Sequence, residues 1–120
     1  MSAALTRIER NLQVTESSGL QDITGFPVLE SIGGSVYIGT NEGGFHDISG
    51  LGALTEVSES ITISDNLSLT DISGLGSLET VVLQLDIADN PDLCTSIAES
   101  IAAGVSAGDG VRTDGNLDGC

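Results

Sequence analysis

Residues 54–78 read LTEVSESITISDNLSLTDISGLGSL. Ile61-Thr62-Ile63 alternates apolar and polar, as a short half-buried strand does. Asn66 follows in a turn. Asp71-Ile72-Ser73-Gly74-Leu75 then makes a second turn, where the glycine supplies backbone freedom and the aspartate can cap the amide two residues ahead. The whole pattern returns along the chain. With Ile8, Ile32, Val57 and Val81 as the first position of each coil, the steps are 24, 25 and 24 residues. A repeat of this length is the mark of a solenoid, in which each layer buries its apolar face only against its neighbours.

Six further columns are apolar throughout: Leu12, Val36, Ile61, Leu85; Val14, Ile38, Ile63, Ile87; Leu20, Phe45, Leu69, Leu93; Ile23, Ile48, Ile72; Phe26, Leu51, Leu75; and Leu29, Leu54, Leu78. One strand per coil can pair only with its equivalent in the next coil, giving a parallel sheet with strands about 4.8 Å apart. Ser17, Asn41, Asn66 and Asn90 share one turn position. An asparagine column inside a turn faces inward, where its amides bond the backbone of neighbouring coils. The expected coils lie near 8–31, 32–56, 57–80 and 81–104 of a single domain spanning 1–120.

The regularity breaks in two places. Coil two is one residue longer, at Glu42-Gly43-Gly44, which reads as a tolerated bulge or, alternatively, a ligand loop. After Leu93 the pattern changes to a carboxyl cap over 91–120. Asn90 and Pro91 suit a helix start, Leu93, Ile97 and Ile101 recur on one helical face, and Gly104 stops it. Such a helix would lie over the open end of the stack. Val105, Val111 and Leu117 then fall 24 residues after Val81, Ile87 and Leu93, as a degenerate fifth coil.

Composition agrees with a stacked aliphatic core. The chain has two Phe, one Tyr and no Trp, so one small layer of Leu, Ile and Val is repeated rather than an irregular core filled with aromatics. Net charge is −15, with Arg7, Arg10 and Arg112 as the only basic residues. Nucleic acid is thereby disfavoured as a partner, as are anionic membrane surfaces. The acid keeps a repetitive protein soluble; a saline habitat or a cationic partner also fits. No apolar run approaches the ~18 residues of a membrane span, and residues 1–10 lack the features of a signal peptide.

Cys94 and Cys120 both fall in the cap, one coil and two residues apart, hence on adjacent layers at nearly the same angle. A disulfide between them would close about 25 residues, worth roughly 3 kcal/mol by loop entropy, and would imply an oxidising compartment. Metal binding is the competitor, but it needs more ligands and His46, the only histidine, is two coils away. No metal or cofactor is expected.

The coil Leu-x-x-Val-(x)3-Ile-x-Ile-(x)2-Asn-(x)2-Leu-x-Asp-Ile-Ser-Gly-Leu-(x)2-Leu, from Leu54 to Leu78, resembles the receptor L-domain type of leucine-rich repeat, with relatives on bacterial and fungal cell surfaces. The resemblance runs from Leu5 to Cys120 and implies a right-handed α/β solenoid: one short parallel strand per turn and a carboxyl-terminal capping helix. It also implies a secreted or surface-tethered domain that binds protein or glycan without catalysis. Two departures stand out: no amino-terminal cap with its own cysteines, and few coils. A fragment or a minimal member would look like this.

No catalytic constellation is visible. One histidine and a paired set of cysteines leave no Ser-His-acid or Cys-His arrangement, and too few aromatics exist to line an acid-pair cleft. Asp22, Asp47 and Asp71 form a column in the second turn; each caps its own turn, or the column bridges calcium between coils. The better binding candidate is the outward face of the sheet, a platform about 15–20 Å across. Its residues are Ser35, Tyr37, Ser60, Thr62, Ser64, Gln84 and Asp86, with Tyr37 the sole aromatic, although a merely solvated sheet face looks the same. Leu83 beside Val82 adds a small apolar patch. Three roles follow: an interaction module; a structural segment of a larger adhesin or stalk, pairing with another copy through the uncapped first coil; or adsorption to ice or mineral, for which Thr62 and Ser64 give only a partial ladder.

Overall fold

The structure, a computed structural model, describes residues 7–15, 29–41, 46, 48 and 51–117. The chain winds through successive rungs, each contributing two strands to two separate parallel sheets. The first sheet holds β1 (Arg7–Ile8), β3 (Ser31–Ile32), β5 (Glu56–Val57), β7 (Thr80–Val81) and β9 (Ser106–Ala107) in that order. The second holds β2 (Leu12–Thr15), β4 (Val36–Gly39), β6 (Ile61–Ser64), β8 (Gln84–Ala88) and β10 (Gly110–Arg112). The only α-helix among the described residues is α1 (Thr95–Ala103), and a single 3-10 turn spans Ser73–Leu75. This is a mostly parallel β architecture of solenoid-like form.

The apolar columns decide the register. Val36 pairs with Ile61 and Ile61 with Leu85, while Ile32 pairs with Val57 and Val57 with Val81. A slip by one residue would turn every one of these side chains to the opposite face. In the third and fourth rungs they are sealed from solvent, together with Leu54, Leu69, Ile72 and Leu93. Each such side chain contributes roughly 1.5–3 kcal/mol by leaving water. Leu20, Ile23, Phe26 and Phe45, also expected in the core, lie outside the described residues, as does Glu42-Gly43-Gly44.

Three expectations are corrected. First, each rung carries two strands instead of one. The residue pair at each coil start, which spacing marks only as apolar, is extended and pairs with the next rung. Second, the strands of the fifth rung are offset by 26 residues rather than 24: Ala107 pairs with Val81 and Val111 with Leu85, while Leu117 N does meet Leu93 O, 24 residues back. The extra pair of residues lies between Asn90 and Ser106, where α1 replaces the extended path used by the earlier rung.

Third, α1 begins at Thr95 with Cys94 as its N-cap residue, not at Asn90. The Asn90 amide is engaged elsewhere, and the first helical N–H is instead accepted by the Leu117 carbonyl at 2.8 Å. Ala98 is the buried helix residue and Ile97 is exposed. The helix occupies the side of the fourth circuit, and what covers β7 and β8 is the fifth rung, β9 and β10.

The asparagine column is a continuous ladder. Asn41 Nδ2 donates to Asn66 Oδ1 at 2.8 Å, and Asn66 Nδ2 donates to Asn90 Oδ1 at 3.0 Å. Asn90 Nδ2 donates to Asn116 Oδ1 at 3.2 Å, so Asn116 is a fourth member that the 24-residue spacing concealed. Each amide also reaches back one rung, from Asn66 to Ile38 O at 3.0 Å and from Asn90 to Ile63 O at 2.9 Å. Asn41, Asn66 and Asn90 are fully buried, and these bonds are what make buried amides tolerable. Ser17 lies outside the described residues.

The residue before each ladder asparagine is left-handed: Thr40 at φ 56°, Asp65 at 57°, Asp89 at 59° and Gly115 at 79°. This kink turns the amide into the stack. For threonine that conformation is strained by roughly 1–2 kcal/mol.

Candidate functional site

The outward face of the second sheet carries three columns in register. The first, at the strand starts, is closed on itself. Asn11 Oδ1 accepts from Ser35 N at 2.8 Å, Ser35 Oγ accepts from Ser60 N at 3.4 Å, and Ser60 Oγ accepts from Gln84 N at 3.2 Å. Ser35 Oγ also donates to Glu59 Oε1 at 3.1 Å. Each side chain therefore holds the first amide of the next rung, the same economy as the buried asparagines but on the surface. Two residues expected to bind, Ser35 and Ser60, are occupied in this way; Gln84 is exposed at the end of the series.

The middle column runs Gln13, Tyr37, Thr62, Asp86, Arg112 across β2, β4, β6, β8 and β10. Tyr37 leans along its own strand over Gly39: a methyl on Gly39 would come within 2.8 Å of Tyr37 Cζ and Oη. Glycine there leaves room for the ring, which stays half-buried. Thr62 and Ser64 are half-buried beside it. Asp86 is one-fifth exposed, its Oδ1 shielded and without a hydrogen-bond partner.

Arg112 closes the column. Its Nε is 2.7 Å from Asp114 Oδ1, its Nη1 3.6 Å from Asp86 Oδ2 and its Nη2 3.7 Å from Asp89 Oδ2. The hydrogen bond to Asp114, then the charges of Asp114, Asp86 and Asp89, hold the guanidinium even more firmly protonated than usual. Sequence reading gave Arg112 no role, because a 24-residue offset sets it beside Ala88. The 26-residue offset brings it next to Asp86.

The other expected sites are dispersed. Asp22 and Asp47 lie outside the described residues, while Asp71 is exposed, its backbone N–H bonded to His46 O and its carbonyl to Ile48 N. Among the described residues no group of three or more His, Cys, Asp or Glu side chains could hold a metal ion. No described helix is long and apolar enough to cross a membrane. Cys94 is half-buried and bridged to Leu117, which brings the chain within three residues of Cys120 beside it. Cys120 itself lies outside the described residues. Val82 and Leu83 are exposed at the corner between the two sheets, where Leu83 N donates to Glu59 O at 2.8 Å.

Compared with family models, curated proteins and solved structures, the chain has no match.

Proposed function

We propose that the chain is a non-catalytic interaction module of leucine-rich-repeat, L-domain-like type, belonging to a secreted or cell-surface protein and recognising protein or glycan through its outward sheet face. The observation carrying this is the middle column: a tyrosine ring held over Gly39 and a carboxylate with an unpartnered oxygen, two strands apart on one sheet face. Recognition surfaces favour such rigid aromatic anchors with polar groups beside them. A ligand screen against the protein and its Tyr37→Ala variant tests it. Binders that lose affinity in the variant are expected; binders indifferent to it would sink the proposal.

The extracytoplasmic part rests on the cysteines. A Cys94–Cys120 disulfide would close the last rung onto the helix start, where Leu117 already bridges to Cys94. Reduction should then lower unfolding stability by roughly 3 kcal/mol. An unchanged melt under reductant would remove the disulfide and the compartment with it.

A structural role in a larger stalk is the second proposal. It is favoured by the last rung, where Val111 and Leu117 remain 45% and 43% exposed although Val111 lies in an otherwise inward column. Concentration-dependent mass in solution would support that role.

A further inference from the structure

Within the middle column, Asp86 is the one group whose internal chemistry is left incomplete. Its Oδ1 is shielded from solvent with no donor, and its Oδ2 stands 3.6 Å from Arg112, beyond hydrogen-bond reach. The cause is geometric: Arg112 turns its Nε to Asp114 at 2.7 Å, with Asp89 on its other side. Those two carboxylates offset the Arg112 charge, so the charge of Asp86 is left available. A desolvated carboxylate oxygen without a donor costs free energy, and a hydrogen-bonding cation would recover it. The terminal torsion of an aspartate is soft, so a modest turn brings the orphaned oxygen outward.

Thr62 lies between Asp86 and Tyr37 in register, about 5 Å from each strand. A cation on the outward face near Thr62 would therefore lie between the Tyr37 ring, which attracts cations within about 6 Å, and the Asp86 carboxylate. A neutral sugar would use the ring but would leave that charge unmatched. It would also find the Ser35 and Ser60 hydroxyls already engaged. The net charge of −15 favours a basic partner over the whole approach path.

We infer that the occupant of the sheet face is a basic segment of another protein, with one arginine or lysine side chain seated over Thr62 between the Tyr37 ring and Asp86. This rests on the sheet face being a binding surface at all, and the experiment separates the two. The probe is an Arg-Gly-Arg-Gly-Arg peptide titrated into isotope-labelled protein and followed by backbone amide NMR. A matched peptide carries citrulline, the neutral isostere, in place of arginine.

Shifts centred on Tyr37, Thr62 and Asp86 are expected, with the citrulline peptide weaker by about tenfold, the loss of one charged contact. Asp86→Asn should weaken the arginine peptide by a similar factor of about ten. Asp92→Asn, an exposed acid off the face, should stay within about twofold. Tyr37→Leu should weaken binding and Tyr37→Phe should not, a pair that keeps the test alive if Asp86→Asn fails to fold. Equal weakening by Asp92→Asn, or shifts scattered over the acidic surface, would overturn the inference. A panel of neutral oligosaccharides supplies the other arm. Shifts at Tyr37 with sugars but not with arginine would overturn the basic partner and keep the binding face; no shift there with either would overturn both.

Discussion

Ile61 and Val111 stand in the same column of the same sheet, and yet one is sealed while the other is 45% exposed. The third rung and the fifth repeat the same turn geometry: a left-handed residue, an inward asparagine, a strand beside the preceding strand. What differs is the number of neighbours. A residue in this fold is covered by the rung before it and by the rung after it. Chemistry at a position is thus a poor guide to its energetic weight; place in the stack decides.

The sharpest way to break that comparison is at the asparagines. Asn66→Ala removes acceptors and donors for Asn41, Asn90 and Ile38 O in a dry interior, and should cost about 3 kcal/mol or more. Asn116→Ala acts at a half-buried residue and leaves Asn90 Nδ2 bonded to Ile63 O and Ala88 O, so about 1 kcal/mol is expected. Chemical denaturation of both variants gives the contrast; equal losses would mean the ladder has no interior. The aliphatic column should follow the same order. Ile61→Ala should lose about 2–4 kcal/mol, Val111→Ala under about 1 kcal/mol.

At the last rung charge replaces packing. Arg112→Gln leaves Asp86, Asp89 and Asp114 facing one another, so it should destabilise the protein at low ionic strength, with the loss shrinking in high salt. Melts across a salt series check this, and a salt-independent loss would indicate a packing role instead. The smallest effect is expected at the left-handed kink. Thr40→Asn should stabilise by about 0.5 kcal/mol, since asparagine accepts that conformation more readily than a β-branched residue.

The central rungs were legible because their residues repeat what physics demands of a layer. Ile32, Val57, Ile63, Leu69 and Leu78 were placed inward by spacing alone, and they are inward. The ladder at Asn41, Asn66 and Asn90 was legible for the same reason. The strands of the last rung were not, because Val105 and Val111 happen to be apolar at the wrong interval, although Leu117 does meet Leu93. Two added residues beside α1 shift the true register to Ala107, Val111 and Asn116. The site suffered accordingly: Tyr37, Thr62 and Asp86 were placed on one sheet face and do fall in register, while Arg112 was missed. Ser35 and Ser60 were assigned to binding, since nothing in their spacing reveals that their hydroxyls hold the neighbouring strand.

Asn66 has one more property. Asn66-Leu67-Ser68 spells the tripeptide that N-linked glycosylation recognises, a signal that ordinarily marks an accessible loop. Here the acceptor nitrogen is sealed inside the protein, donating to Ile38 O and Asn90 Oδ1. Sugar attachment and the third rung therefore exclude each other. A chain passing through a eukaryotic secretory pathway faces a race between oligosaccharide transfer and closure of that rung. The losing molecules would carry a glycan where the core should be. Ser68→Ala, or synthesis in a host without the transferase, removes the race and should raise the yield of folded protein.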